Sequence, residues 1–457
     1  MARTSWRAIV FLTVTALVLL LGRSRHGPSF TGPGPPLGGP EIRVQVVAAP
    51  VLVFAAAGPV RVVSLEESRV LYRGELPAPC LVESDGRELV VAGRRFPGAI
   101  RIQPLGGEPG LGEDGFPAGG RALAVGTDLP AGSRRGVAAL EARWRKQIAA
   151  LRAAGRSVFL VSPAGDAAPP RAYRGALELR PGEGVVEAVN ALPLEAYLAG
   201  VIGSEIPARA PLEAVKAQCV ASRTYALYAL RRAKTRGRPG VFSSGPDFQV
   251  YRGLETEHPR VIRALRATHG EVLTYLGRLF RSYYHSTCGG QTARASLAFG
   301  EPDIPPLGGV SCEGSCDGSR FARWECRLDR EKISTALRRR IGKRTRGASL
   351  AVGTLRSLEL AETGADGRAR YVRFEHDLGS LEWSAERFRR AVAPGCIRST
   401  YFRVVEAETD GDYVVEGRGW GHGVGLCQVG CMKRGQTDSY RRILGHYYPR
   451  SEFRGAY

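Results

Sequence analysis

One stretch constrains the fold more than any other: LPLEAYLAGVIGSEIPARAPLEAVKAQCVASRTYAL, Leu192 to Leu227. Pro193 and Pro211 each suit the first turn of a helix, where a missing N–H costs nothing. Gly203 and Pro207 interrupt the run between them. The stretch therefore reads as two helices, the first ending at Gly203 and the second long, joined by a turn at Ser204, Glu205, Ile206 and Pro207. Glu195 and Glu213 fall in helical sequence. Glu205 sits in the turn, where it holds no i,i+4 pair. Composition alone favours a solvated loop residue, or a cap on the second helix, over a catalytic group.

The chain before this stretch is strand-like. IRVQVVAAPVLVF, PVRVVSL, ELVVAG, RIQPLGG, SVFLVS, GALELRP and GEGVVEAVN carry short β-branched runs separated by turn residues. One helix interrupts them. Leu140, Trp144, Ile148 and Leu151 share a face at spacings of four, four and three, and Gly155 closes the run. GGEPGLGEDGFPAGG, Gly106 to Gly120, is a loop or an insertion. Further on, DREKISTALRRRIGKRTRG is a helix ending in a basic cluster, Arg338 to Arg346. LRSLELAE and YVRFEHD form a hairpin. SAERFRRAV is a short helix that Ser384 caps. YFRVVEAETDGDYVVEGRG is a second hairpin, and YRRILGHYYP a helix stopping before Pro449. The mixture predicts an α+β fold, twisted sheets with a helical lobe carrying Glu205.

The N-terminus sets the compartment. Arg3 and Arg7 precede an apolar run from Ala8 to Leu21, the pattern of an export signal and short for a spanning helix, which needs roughly 20 residues. Gly22 and Ser24 are small and suitably spaced for cleavage, but Arg23 lies between them. The expected location is the periplasm or the outer face of the cytoplasmic membrane, with residues 1–24 as signal or anchor and 25–40 as a Gly/Pro-rich linker. Residues 41–190 would form a β-rich part with the inserted helix, and 191–452 the core. The net charge of +21 favours anionic partners such as nucleic acid, anionic lipid or a wall polymer, or is a solvated compositional bias. Export argues against nucleic acid, and none is expected as a partner.

Two further stretches carry chemistry. GRGWGHGVGLCQVG, Gly417 to Gly430, has the glycines of a dinucleotide loop but not the acidic residue about 20 positions on. Its glycines allow close approach to a ligand or another loop, with Trp420 and His422 displayed. Trp420 could stack on a sugar, and His422 could hydrogen-bond or exchange a proton near neutral pH. A tight structural turn with a packed Trp is the plainer reading. FRSYYHSTCGGQT and SCEGSC supply His285, Cys288, Cys312 and Cys316, one nitrogen and three sulfurs that suit a tetrahedral structural zinc. A Cys312–Cys316 disulfide, or Cys326 as the fourth ligand, are the alternatives, since the nine cysteines fix no connectivity by spacing. A zinc closed by four protein ligands would stabilise the fold and do no chemistry.

Taken together, the Leu192–Leu227 stretch, FQVYRG, YHSTCGGQT, IRSTYF and GWGHGVGLCQVGCMKRGQ occur in the order of one family. The chain resembles the stage II sporulation protein D and amidase-enhancer (SpoIID/LytB) family over roughly residues 41–452, with insertions near 80–170 and 300–350. The resemblance implies a SpoIID-like fold and a lytic transglycosylase acting on peptidoglycan glycan strands stripped of stem peptides. It assigns the catalytic acid to Glu205, which would start protonated and partly buried, beside Val201, Ile202 and Ile206. It implies substrate contact or support of the cleft wall for Arg223, Gln249, Tyr251, Tyr284, Ser286, Trp420, His422 and Gln428. No cofactor is required for catalysis. Zinc occurs in some members and would fall near His285 and Cys288. The family usually has Ser or Ala where this chain has Cys427 and Cys431, and Ala at Cys219, so those thiols depart from the pattern. The implied partners are glycan strands, a cell-wall amidase and, through the N-terminal segment, the membrane. The rival reading is a non-catalytic wall-binding module that stimulates an amidase. A zinc hydrolase built on His285 and the cysteines is disfavoured by too many sulfurs and no open position.

Overall fold

The computed structural model describes residues 38–76, 79–105, 144–151, 158–164, 170–341, 353–406 and 412–457. The expected signal or anchor (1–24), most of the linker, the Gly106–Gly120 loop, Leu140, Gly155 and the basic cluster beyond residue 341 lie outside them. Among the described residues no helix is long and apolar enough to cross a membrane.

The chain folds as two compact units. The first comprises Phe30–Arg209, Ala226–Gly270 and Gly455–Tyr457, and the second Ala210–Tyr225 and Glu271–Arg454. Neither is one run of chain, whereas the sequence reading divides the body at residue 190. The class is mixed α+β, as the alternation of strand and helix patterns predicts.

The first unit is built on two sheets. A seven-stranded sheet runs in the order Val241–Ser243, Glu41–Ala49, Val185–Pro193, Ala176–Gly182, Ile100–Pro104, Val60–Ser64, Val70–Gly74. A six-stranded sheet runs Arg171–Tyr173, Phe159–Pro163, Val51–Ala56, Cys80–Ser84, Glu88–Val91, Arg94–Pro97. Period-two burial is visible in Val60–Ser64, where Val60, Val62 and Ser64 are buried and Arg61 and Val63 half-buried. Pro50 separates Glu41–Ala49 from Val51–Ala56, which belong to different sheets. Residues 144–151 form the inserted helix, and its Trp144 and Ile148 pack on Val53, Ala55 and Leu160. That burial accounts for the apolar face read from the sequence.

Val185–Pro193 is the strand that positions the candidate site. It pairs antiparallel with Glu41–Ala49 on one side and with Ala176–Gly182 on the other. Its last residue, Pro193, is the N-cap of the helix Leu194–Glu205. A strand held on both edges thus fixes where that helix begins.

Among the described residues, the second unit holds three three-stranded sheets and one two-stranded pair. Leu355–Thr363, Ala369–His376 and Gly379–Ser384 make one meander. Ser384 caps the helix Ala385–Ala391, its Oγ accepting from the Arg387 N–H. Val372, Phe374, Phe388, Phe402 and Val415 form the buried centre of this region. A disulfide joins Cys326 to Cys396 at its edge.

Candidate active site and thiol cluster

The Glu205 helix does not stop at Gly203. It spans Leu194–Glu205 with Ile206 as its C-cap, so Glu205 is its last residue and not part of a turn. The reason is what the glycine faces. A Cβ on Gly203 would lie 1.9 Å from the Thr256 carbonyl oxygen, and one on Gly200 2.6 Å from the Tyr251 ring. Both glycines serve close packing rather than termination. Thr256 Oγ1 and Ser204 Oγ both donate to the Gly200 carbonyl, at 2.7 and 3.2 Å. These contacts seat FQVYRG and the turn Gly253–Thr256 on the helix. From that stretch the Val250 N–H donates to Glu205 Oε1 at 3.2 Å.

The carboxylate is half-buried, and its neighbours Val201, Ile202 and Ile206 are buried. Its surroundings include influences of opposite sense. The C-terminal end of a helix carries negative partial charge and disfavours the anion. The Val250 N–H favours it.

Gln249 and Tyr251 flank Val250 in the chain, and both are buried. The Tyr197 hydroxyl donates to Gln249 Oε1 at 3.1 Å, and the Tyr251 hydroxyl donates to Asn190 Oδ1 at 2.7 Å. Tyr251 also packs on Tyr173 and Tyr197. They hold the loop that reaches Glu205.

The remaining expected residues belong to the second unit. Arg223 is fully buried and donates from Nη1 to the Glu271 carbonyl at 3.0 Å, tying the long helix Leu212–Thr235 to the strand Glu271–Tyr275. Tyr284, Ser286, Trp420, His422 and Gln428 are each half-buried and come together through one strand pair. Tyr284–His285 runs parallel to Leu426–Cys427. Trp420 and Thr287 exchange backbone hydrogen bonds of 3.1 and 2.7 Å. The glycines of the Gly417–Gly430 stretch allow this contact with another loop: a Cβ on Gly425 would lie 2.0 Å from the Tyr283 carbonyl, and one on Gly419 2.5 Å from that of Thr287. Gln428 Nε2 donates to the buried Gln218 at 3.5 Å.

Of the two roles expected of His422, a hydrogen bond or proton exchange, the hydrogen bond is the one seen. Burial pushes its ring down to about 4, with Arg389 and Arg368 adding to the effect and Glu386 opposing it. At neutral pH it is an uncharged imidazole whose Nδ1 accepts from the Val424 N–H at 3.1 Å. Burial also holds His285 well below the usual range, and its Nδ1 bonds the Val424 carbonyl at 3.0 Å.

The sulfur atoms of Cys288, Cys312, Cys316 and Cys427 are all buried and lie within 4.8 Å of one another. Three of the four expected ligands are therefore together. His285 stands outside the group, and Cys427 supplies the fourth donor. Cys326 is not a candidate, because it is bonded to Cys396. Cys431 lies nearby in sequence, with its thiol directed to the Ala214 carbonyl at 3.6 Å.

Sequence reasoning did not single out Phe321 or Arg398. Phe321 meets Trp420 edge-on at 4.4 Å, and the Arg398 guanidinium stands 5.5 Å over the Trp420 ring. Arg398 lies inside IRSTYF, so the signal was present without a role. A groove of about 720 Å³ in this unit is lined by Trp324, Tyr401, Arg323, Arg403 and Arg418 among others. The first unit has a cavity of about 620 Å³ with Arg43, Arg231, Lys234 and Arg238 on its walls. Glu205 lines neither.

Comparison with known proteins adds the following. A family model described as Stage II sporulation protein matches residues 182–275, which hold Glu205, Arg223, Gln249 and Tyr251. A second, described as a domain of unknown function, matches 313–425. An uncharacterized protein of Brachyspira hyodysenteriae is 30% identical over 277 residues, 60% of this chain and 70% of its own length. The amidase enhancer of Bacillus subtilis is 28% identical over 55% of this chain and 39% of its own length. Stage II sporulation protein D of Bacillus subtilis is 26% identical over 57% of this chain and 74% of its own length.

Proposed function

The chain belongs to the stage II sporulation protein D family, and from that premise we propose that it is a lytic transglycosylase cleaving the MurNAc–GlcNAc bond of peptidoglycan strands stripped of their stem peptides. A cell-wall role follows from membership in that family, and such work is done outside the cytoplasm. The observation that carries the finer reading is the half-buried Glu205, held at a helix end that packed glycines position, with the Val250 N–H donating to its carboxylate.

A hydrolase that acts through water uses two carboxyl groups, one on each side of the bond. A lytic enzyme needs one, used twice. Protonated Glu205 donates to the glycosidic oxygen, and the GlcNAc O4 departs as an alcohol. The resulting carboxylate takes the proton from the MurNAc C6 hydroxyl. That oxygen closes on C1 to give the 1,6-anhydro ring, and Glu205 is again protonated. No water is consumed. The opposed influences of helix end and N–H suit a group that holds a proton in one half of the cycle and lacks it in the other.

The test is incubation of the purified chain with glycan strands lacking stem peptides, beside Glu205→Gln. Mass spectrometry should find ends lighter by one water than hydrolytic ends from the wild type. Glu205→Gln should cut at least about 10²–10⁴-fold more slowly, the usual contribution of one acid–base group. Hydrolytic ends would reject the anhydro step. Absence of cutting by a folded, glycan-binding chain would turn the reading to a module that stimulates an N-acetylmuramoyl-L-alanine amidase, which the likeness to the amidase enhancer favours.

A further inference from the structure

Four buried thiols at close quarters have three fates: free, oxidised in pairs, or bound to a metal. Free thiols explain little, because four weakly polar groups would then be buried where Ser or Ala would pack. Oxidation requires sulfurs at roughly 2.05 Å. Cys288 and Cys316 stand at 3.4 Å, and all four sulfurs lie within 4.8 Å. Four thiolates about one Zn²⁺, each at about 2.3 Å, are separated by roughly 3.8 Å along the tetrahedron's edges. The observed spacings bracket that value.

The surroundings are those of an anionic centre. The N–H groups of Cys288 and Gly430 both donate to the Cys427 sulfur at 3.4 Å, and the Gly290 backbone bonds Cys316. The Tyr447 hydroxyl lies 3.1 Å from the Cys312 sulfur. A zinc with four thiolates carries a net charge of −2, which a buried cation would offset. Arg368 is that cation. It is buried, its Nη2 donates to the Cys288 carbonyl at 2.8 Å, and its Nε and Nη1 have no hydrogen-bond partner.

We propose that Cys288, Cys312, Cys316 and Cys427 together bind one Zn²⁺ as a closed, four-sulfur structural site, with Arg368 as its charge partner. The new element is Cys427, from the Gly-rich stretch, in the place expected for His285. Binding displaces the thiol protons and leaves no open position for water, so the metal does no chemistry. What it does is mechanical. It joins the YHSTC loop, the Cys312–Cys316 turn and the Leu426–Cys427 strand, and so fixes the loop that carries Trp420 and His422.

The site is testable without any cleavage assay, and its failure would leave the Glu205 proposal standing. The full-length chain, purified from zinc-supplied cells, should hold one equivalent of zinc by elemental mass spectrometry. Cys427→Ser should lose most of it, and Cys80→Ala, a buried thiol of the first unit, none. Should Cys427→Ser not fold, Cys427→His keeps a donor. Its Co²⁺-loaded form should show sulfur-to-cobalt charge transfer at about three quarters of the wild-type intensity, as three thiolates replace four. Unreduced chain without zinc and with a disulfide between any two of the four would overturn the proposal. So would wild-type zinc content in a folded Cys427→Ser, or an unchanged charge-transfer band in Cys427→His.

Discussion

His422 shows how burial can reverse what a residue type suggests. An exposed histidine titrates near 6.5, whereas burial pushes this one down to about 4. As the pH falls, the unfolded chain therefore takes up the proton first. The stabilisation from keeping the ring neutral is complete above about 6.5 and is lost as the pH falls toward 4, at up to about 1.4 kcal/mol per unit. Denaturant melts across that window should show a shallower acid slope for His422→Gln than for the wild type; parallel slopes would mean that the ring titrates normally in the fold. His285 shifts in the same sense and adds to the wild-type slope in both chains. Both rings are hydrogen-bonded to the backbone of Val424.

The helix Leu194–Glu205 depends on what it packs against more than on its own composition. Gly203→Ala places a methyl carbon against the Thr256 carbonyl at 1.9 Å. Overpacking of this kind costs about 1–3 kcal/mol, and here it also lifts the stretch that brings Val250 to Glu205. The variant should melt earlier and cut glycan more slowly. Gly445→Ala, in the helix Tyr440–Tyr447 with open space around it, should be neutral or stabilising by about 0.5–1 kcal/mol. Equal behaviour of the two would remove the packing role of Gly203. The same glycine marks the limit of sequence reading. Strands such as Val60–Ser64, the Ser384-capped helix and the hairpins were legible because their signals are local: alternation, caps and turn residues. The end of the Glu205 helix was misread because a glycine that accepts a distant backbone looks like a glycine that stops a helix. Cys427 was legible only as a departure from a pattern. Its neighbour Cys288 is 139 residues away, and no spacing rule spans that distance.

Two contacts close long stretches of chain, each within one unit. The Cys326–Cys396 bond bridges 70 residues in the second unit. Replacing both cysteines with Ser should lower stability by about 2–4 kcal/mol, measured by denaturant melts of the variant; no change would mean that the unfolded chain is already held compact. The other closure is not covalent. Tyr457 donates its hydroxyl to Glu195, 262 positions earlier, and the Ala456 N–H bonds the Gly270 carbonyl, both within the first unit. That unit, whose strands are made early, lacks its closing residues until position 457 has been synthesised. At about 5–20 residues per second the delay between Glu195 and its partner is roughly 15–50 s. The hydrogen bonds of Tyr457 and Ala456 therefore form after the strands of this unit have had that time to pair.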